Sequence, residues 1–421
     1  MAAIPPTGLA ASGRARIEWA DGQMPVLRSI RERLAAERPL AGLRVGACLH
    51  VTAETACLVR ALAAGGAEVG LCASNPLTTQ DDVVAALSAE GAEVHGRRGE
   101  DADAYAADVV AVVDRVRPQV TLDDGADLLT VIHAARPELL GGLVGGTEET
   151  TTGLLRLRAL EREGRLACPV IAVNEARTER LFNDHYGTGQ STLDGILRAT
   201  NLLLAGRTVV VLGYGFTGKG VALRARGAGA QVIVCEVDPM RALEARMEGF
   251  EVMPALQAAE RGEVFVTVTG NRDVLTAAHF ARMKDGAVLA NAGHFDVEID
   301  LAALRAAAVE EPRDVLPLVT RYDLGGQRLN LLAQGRVVNL AAGQGHPAAV
   351  MDMSFANQAL AVEHLVRDGA ALGPGVHPVP EALDREVARL KLVSLGVAID
   401  VLSDEQARYL QGWSVFGVGD H

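Results

Sequence analysis

The chain has 421 residues, 49% hydrophobic and 22% charged, which suits two or three domains with sizeable cores and excludes a mainly disordered chain. Forty basic against 53 acidic side chains leave a formal charge of −13, which argues against nucleic acid or an acidic membrane surface as partner. The sequence shows no membrane-spanning stretch and no signal peptide, and its five cysteines (Cys48, Cys57, Cys72, Cys168, Cys235) form no CxxC pair. A reduced, cytoplasmic protein with no metal site is therefore expected.

In the first 175 residues, apolar runs end at Cys48–Leu49, Leu71–Cys72, Thr121–Leu122, Leu143–Val144 and Ile171–Val173, each followed by polar residues and a helical pattern. This alternation predicts an α/β domain. Polar residues cluster just past the strand ends: His50, Thr52 and Glu54; Asn75, Thr79 and Gln80; Asp123 and Asp124; Glu148, Glu149, Thr150, Thr151 and Thr152. Any one of them could serve as a helix cap. Four clusters at one sheet edge point to a ligand, because open α/β sheets bind ligands outside the carboxyl ends of their strands. Side-by-side Asp123 and Asp124 would raise one carboxyl's pKa.

Thr208–Leu212 reads as a buried parallel strand and is followed by Gly213-Tyr-Gly-Phe-Thr-Gly218 and a helix from Lys219 to about Gly227. The next strand, Gln231–Cys235, ends at Glu236. A helix near 241–248, a strand at 264–268, a helix near 277–283 and a strand at 287–290 continue the alternation, which predicts a doubly wound parallel sheet. Gly213 permits the tight turn, Gly215 lets a pyrophosphate approach the backbone, and Gly218 lets helix and strand pack closely, with Phe216 and Thr217 at the helix start. Glu236 suits two ribose hydroxyls and would repel a 2′-phosphate, favouring NAD over NADP, a preference that Arg241 weakens slightly. The run also mimics a P-loop, but Gly220 replaces the Ser or Thr that would hold Mg²⁺.

After His346 a helix is expected over 353–366, and Pro374, Pro378 and Pro380 separate it from a last helix near 381–391. The expected fold class is α/β, with a Rossmann-type NAD-binding domain (190–345) inserted into a second α/β substrate-binding domain (1–176 and 347–390). Residues 391–421 form a C-terminal segment. The crossings, 174–195 and 340–350, are natural hinge positions.

Seven ordered motifs give the chain a family resemblance: Leu49-His-Val-Thr-Ala-Glu-Thr55, Thr78-Thr-Gln-Asp81, Leu122-Asp-Asp-Gly-Ala-Asp127, Glu148-Glu-Thr-Thr-Thr-Gly153, Gly213-Tyr-Gly-Phe-Thr-Gly-Lys-Gly220, Asn291-Ala-Gly-His-Phe-Asp-Val-Glu-Ile-Asp300 and Gly345-His-Pro347. Together they resemble S-adenosyl-L-homocysteine hydrolase along nearly the whole chain. The resemblance implies tightly held NAD, recycled within each turnover, that oxidises a ribose 3′ carbon; the ketone acidifies the 4′ C–H, and the 5′ substituent leaves by β-elimination. It implies His50 and Asp124 as acid–base groups and Glu149 at a sugar hydroxyl. Thr52, Glu54, Gln80 and His346 would lie near the adenine of a nucleoside substrate, which Asn75 would also help to bind. Thr150, Thr151, Thr152, Glu236, Asn271, His294 and Asn339 would line the NAD site, His294 also serving catalysis.

The chain departs from the family at the sugar. Glu179 takes the place of a lysine, Asn183 of an aspartate and Asp184 of an asparagine, and the end at Phe416–His421 lacks the family's usual Lys- and Tyr-bearing tail. Three explanations follow: a rearranged site with Glu179 as base and Asp184 compensating for Asn183, a non-catalytic nucleotide-binding relative, or the same cycle on another adenine nucleoside. We favour the third, with water leaving and an alkene retained, a nucleoside dehydratase. A genuine hydrolase releasing homocysteine is the alternative. A homo-oligomer, dimer or tetramer, is expected.

Overall fold

Continuous apolar runs become parallel strands here because helices cover both of their faces. The computed structural model describes residues 6–294 and 296–411. In chain order its strands are β1 Arg44–Leu49, β2 Glu68–Ala73, β3 Glu93–His95, β4 Val120–Asp123, β5 Gly145–Glu148, β6 Pro169–Ala172, β7 Thr208–Leu212, β8 Gln231–Cys235, β9 Glu251–Val252, β10 Val264–Thr267, β11 Val288–Asn291, β12 Arg313–Leu316, β13 Val319–Asp323, β14 Arg328–Leu332 and β15 Gly375–Pro378.

They form two sheets. The first runs β15-β6-β5-β4-β1-β2-β3 and is parallel throughout. The second runs β12-β13-β14-β11-β10-β7-β8-β9, parallel except for the antiparallel pairs at its β12–β14 edge. In each sheet the chain leaves a central strand in one direction and later resumes on that strand's other side. The resulting switch points lie between β1 and β4 and between β7 and β10, where a crevice opens beyond the strand ends.

The long helix Ala348–Asp368 carries the chain back to the first sheet, burying Phe355, Leu360 and Leu365 in the same core as Val45 and Leu122. At its start Asp352, fully buried, accepts from the Val26 and Leu27 N–H groups (3.2 and 2.8 Å) and from Lys391 Nζ (2.8 Å). This one carboxylate fastens the helices Pro25–Glu37 and Glu381–Ser394 together. Among the described residues no helix is long and apolar enough to cross a membrane.

Several expectations are corrected. The strand expected to end at Leu143–Val144 is instead β5, Gly145–Glu148. A Cβ at Gly145 would stand 2.8 Å from the Leu365 side chain, so the long helix presses on a strand too small to look like one. Short β3, the helices Pro6–Gly22 and Pro25–Glu37, and a helix Asp404–Gln411 beyond the expected last one had no sequence forecast. Residues 179–188 wind as a π-helix and continue into the helix Gly189–Thr200. Phe416–His421 lie outside the described residues.

Candidate active site

Both switch points open onto one cavity of about 380 Å³. The loop after β1 brings His50, Thr52 and Glu54; the loop after β4 brings Asp124; the loop after β5 brings Glu149 and Thr150–Thr152. The π-helix adds Glu179, Asn183 and Asp184, and the second sheet adds Thr217, Thr269, Gly270, His294 and Asn339.

His50 Nε2 lies 3.2 Å from Asp124 Oδ2, and its Nδ1 lies 2.6 Å from Thr78 Oγ1. The Thr78 hydroxyl donates to the Asn75 carbonyl at 2.9 Å, so it accepts from His50 Nδ1–H. Nε2 is then the basic nitrogen, and it faces Asp124. Burial pushes the His50 pKa down, partly offset by Asp124, which keeps the ring ready to act as a base.

Adjacent acids have opposite jobs, because successive residues at a strand end point to opposite faces. Asp123 turns away and caps the Leu128 and Leu129 N–H groups at 2.8 and 3.3 Å, while Asp124 enters the cavity with Oδ1 buried and unpartnered. Burial pushes Asp123 up to about 7, with Asp127 adding to it; the expected repulsion from Asp124 is not the cause. Glu148 likewise accepts from Gly125 N, Thr150 N and Thr150 Oγ1, leaving Glu149 to face the cavity.

Glu149 accepts from Ser354 Oγ and Gln358 Nε2, and Gln358 Oε1 is oriented by the Thr147 hydroxyl at 2.5 Å. Burial pushes Glu149 up to about 7 despite these bonds, with Asp124 and Asp184 adding repulsion. Asp184 is pushed up to about 7 by burial. Glu179, 3% exposed, is driven well above the usual carboxyl range by burial and then by Glu149 and Asp184, and its Oε2 has no hydrogen-bond partner. Burial and these two acidic neighbours favour its protonated form over the carboxylate that a base would be. Asn183 donates to Met351 Sδ at 3.5 Å.

The second sheet supplies a dinucleotide cradle. Gly213 has φ +107°, and a Cβ there would come within 2.7 Å of the Val268 carbonyl. A Cβ at Gly218 would strike the Gly213 carbonyl at 2.1 Å. At Gly215 a Cβ would find nothing nearer than Arg241 Nη1 at 3.8 Å, so this glycine leaves open space above the helix Phe216–Gly227, where a pyrophosphate fits. Glu236 is pre-set at the end of β8, accepting from Tyr214 N at 2.7 Å, Val237 N at 2.6 Å and Asp238 N at 3.0 Å. Asn339 donates to Ser191 Oγ at 3.3 Å and keeps a buried, unpartnered Oδ1 at the cavity wall, an acceptor suited to a carboxamide. These features fit NAD.

The family model described as "S-adenosyl-L-homocysteine hydrolase" matches residues 3–141, and that described as "S-adenosyl-L-homocysteine hydrolase, NAD binding domain" matches residues 184–345. A relative named adenosylhomocysteinase from Aquifex aeolicus is 57% identical over 409 residues, 97% of each chain. Another, from Gloeobacter violaceus, is 54% identical over 407 residues, covering 96% of this chain and 95% of the relative. The chain belongs to the S-adenosyl-L-homocysteine hydrolase family. The family also includes a protein named S-inosyl-L-homocysteine hydrolase from Methanosarcina mazei, 55% identical over 403 residues (96% of this chain and 97% of the relative). The crystal structure of a dipicolinate synthase polypeptide from Bacillus halodurans shares the fold alone: TM-score 0.51 at 15% identity, covering 78% of this chain and 99% of that one.

As a member of this family the protein uses NAD. Not every residue that the family pattern suggested reaches the cavity. Asn75 spends its side chain on a turn, accepting from Leu77 N at 3.0 Å, and acts on His50 through its carbonyl instead. Gln80 caps Ala53 N at 3.2 Å and lines neighbouring crevices, and Asn271 lies in an exposed turn. Thr150 does line the cavity and also caps its own helix, accepting from Gly153 N at 3.3 Å. His346, pushed down to about 4 chiefly by burial, stays neutral with Nε2 2.9 Å from Thr188 Oγ1. Ser354 and Gln358 were missed. Their signal is two polar residues four apart on a helix buried along most of its length.

Proposed function

We propose that the chain is a nucleoside dehydratase, running an oxidation–elimination–reduction cycle on a purine nucleoside from which water departs. The cluster Glu149–Glu179–Asp184 carries this reading. Hydroxide, the conjugate base of an acid of pKa about 15.7, leaves far less readily than a thiolate of pKa about 8.5 and needs a proton as it goes. A wall of carboxyls whose pKa values burial raises, Glu149 and Asp184 to about 7 and Glu179 well above the usual range, suits that demand.

Bound NAD supplies the hydride acceptor that turns a sugar carbinol into a ketone and returns the hydride at the end. Gly215, the helix Phe216–Gly227, Glu236 and Asn339 would hold it. Protonated Asp184 gives its proton to the departing oxygen while His50 Nε2 takes the proton from the carbon beside the ketone, so C–H and C–OH become C=C and H₂O, and proton exchange restores both groups. Glu149, its pKa pushed up to about 7, takes the hydroxyl proton as the carbinol becomes a ketone and returns it at the reduction, and protonated Glu179 donates to the carbonyl oxygen as it gains negative charge, doing with a neutral acid what a lysine does with a cation.

A second reading, hydrolysis of an S-nucleosylhomocysteine, is favoured by the names of the relatives. Incubation of the holoprotein with adenine nucleosides, S-adenosylhomocysteine and S-inosylhomocysteine separates the two. Dehydration gives a product lighter by one water and exchange of the 4′ hydrogen in D₂O. Release of homocysteine without any dehydrated nucleoside would replace the first reading by the second. NAD that no nucleoside reduces would remove both and leave a binding protein.

A further inference from the structure

A second, larger cavity of about 590 Å³ lies beside the first, between the N-terminal helix Pro6–Gly22 and the helix Gly189–Thr200. The two cavities share Glu54, Gln344, Gly345 and His346 in their linings. This partition is slight. Gly345 has no side chain, and exposed Gln344 is tied by its Oε1, which accepts from Arg16 Nη1 at 3.2 Å. The crevice wall has an apolar side in Trp19, Leu193 and Leu197. Arg16 and Arg198 are engaged by Asp82 and Asp194 at 3.1 and 2.8 Å, but Arg224 Nε is shielded from solvent with no hydrogen-bond partner. A guanidinium nitrogen removed from water is costly until an acceptor meets it, and a carboxylate does so best.

We propose that this crevice is a binding compartment for a substituent carried on the exocyclic nitrogen of the purine: an apolar arm lying against Trp19 and Leu197 and ending in a carboxylate paired with Arg224. The inference rests on the reading that a purine nucleoside occupies the catalytic cavity with its base toward Glu54 and His346. An exocyclic amine is the donor that Glu54 would accept from, and a group extended from that nitrogen meets the partition first. The volume is within the range of drug-sized sites, and the mixed lining matches such an arm.

The test measures binding of adenosine, N6-benzyladenosine and N6-(4-carboxybenzyl)adenosine to the holoprotein by calorimetry. The carboxybenzyl compound should bind at least about tenfold tighter than adenosine, with the benzyl compound between them. Arg224→Gln should erase the gap between the two armed nucleosides, and Leu197→Trp, filling the crevice from a partly exposed position, should weaken both; neither should alter adenosine binding. Armed nucleosides that bind more weakly than adenosine, or keep their affinities in both variants, would overturn the compartment. Failure of adenosine itself to bind would overturn the underlying nucleoside reading, a result separable because it involves neither Arg224 nor Leu197.

Discussion

A glutamate replaces a lysine at position 179 without losing the job of donating to oxygen only if it keeps its proton. Burial of the side chain against Glu149 and Asp184 favours that protonated form, pushing its pKa well above the usual carboxyl range. The role then depends on a donor and a proton rather than on charge. Glu179→Gln retains an amide donor but offers a weaker hydrogen bond and no acid, so turnover should fall by about tenfold. Glu179→Ala removes both and should cost about 10²–10³. Nucleoside affinity should change far less than turnover in the Gln variant. Single-turnover measurement of NAD reduction checks this, and equal rates for wild type and both variants would take Glu179 out of the chemistry.

At the scale of elements, the π-helix 179–188 owes its place to glycines on its neighbours. A Cβ at Gly220 would come within 1.8 Å of the His185 carbonyl, and one at Gly189 within 2.5 Å of the Gly220 backbone. The Gly220 that spoils a P-loop reading is thus the residue that lets the helix Phe216–Gly227 touch the π-helix carrying Glu179, Asn183 and Asp184. Gly220→Ser should restore the P-loop pattern in sequence yet destabilise the protein by about 3 kcal/mol, with no gain of Mg-nucleotide binding. Equilibrium denaturation of the holoprotein checks it; undiminished stability would mean that the crossing is looser than drawn. The same crossing shows what sequence reveals and hides. β7 and β8 were legible because a strand covered on both faces reads as an unbroken apolar run, and the glycines after β7 because a turn fixes their spacing. β5 was misplaced because its Gly145 and Gly146 yield space to other side chains, Leu365 and Thr121 among them. His50, Asp124 and Glu149 stood out as polar residues at strand ends. Which member of each acidic pair faces the ligand is decided by pleat direction, and the partners Ser354 and Gln358 come from a helix some 200 residues away in the chain.

Across the whole molecule, the cavity lies where two sheets present their switch points to each other, and burial there has a thermodynamic cost that pH exposes. Glu149 and Asp184, pushed up to about 7, hold protons in the folded state that the unfolded chain loses from about pH 4 upward. Their stabilising contribution is complete below about pH 4 and is lost as pH climbs toward 7, because over that window the native state binds more protons than the unfolded one. His50 and His346, pushed down, act in the opposite sense and withdraw stability as pH falls below about 6. The histidine effect cancels when a variant is compared with wild type at each pH. The double variant Glu149→Gln, Asp184→Asn no longer titrates at these sites. Its unfolding free energy relative to wild type should therefore rise between pH 5 and pH 8, by on the order of 2–4 kcal/mol, even as its turnover collapses. Thermal unfolding of both holoproteins across that range measures the difference. A gap that stays flat with pH would show that these carboxyls ionise as they do in water, and the neutral acid wall on which the dehydratase reading stands would be gone.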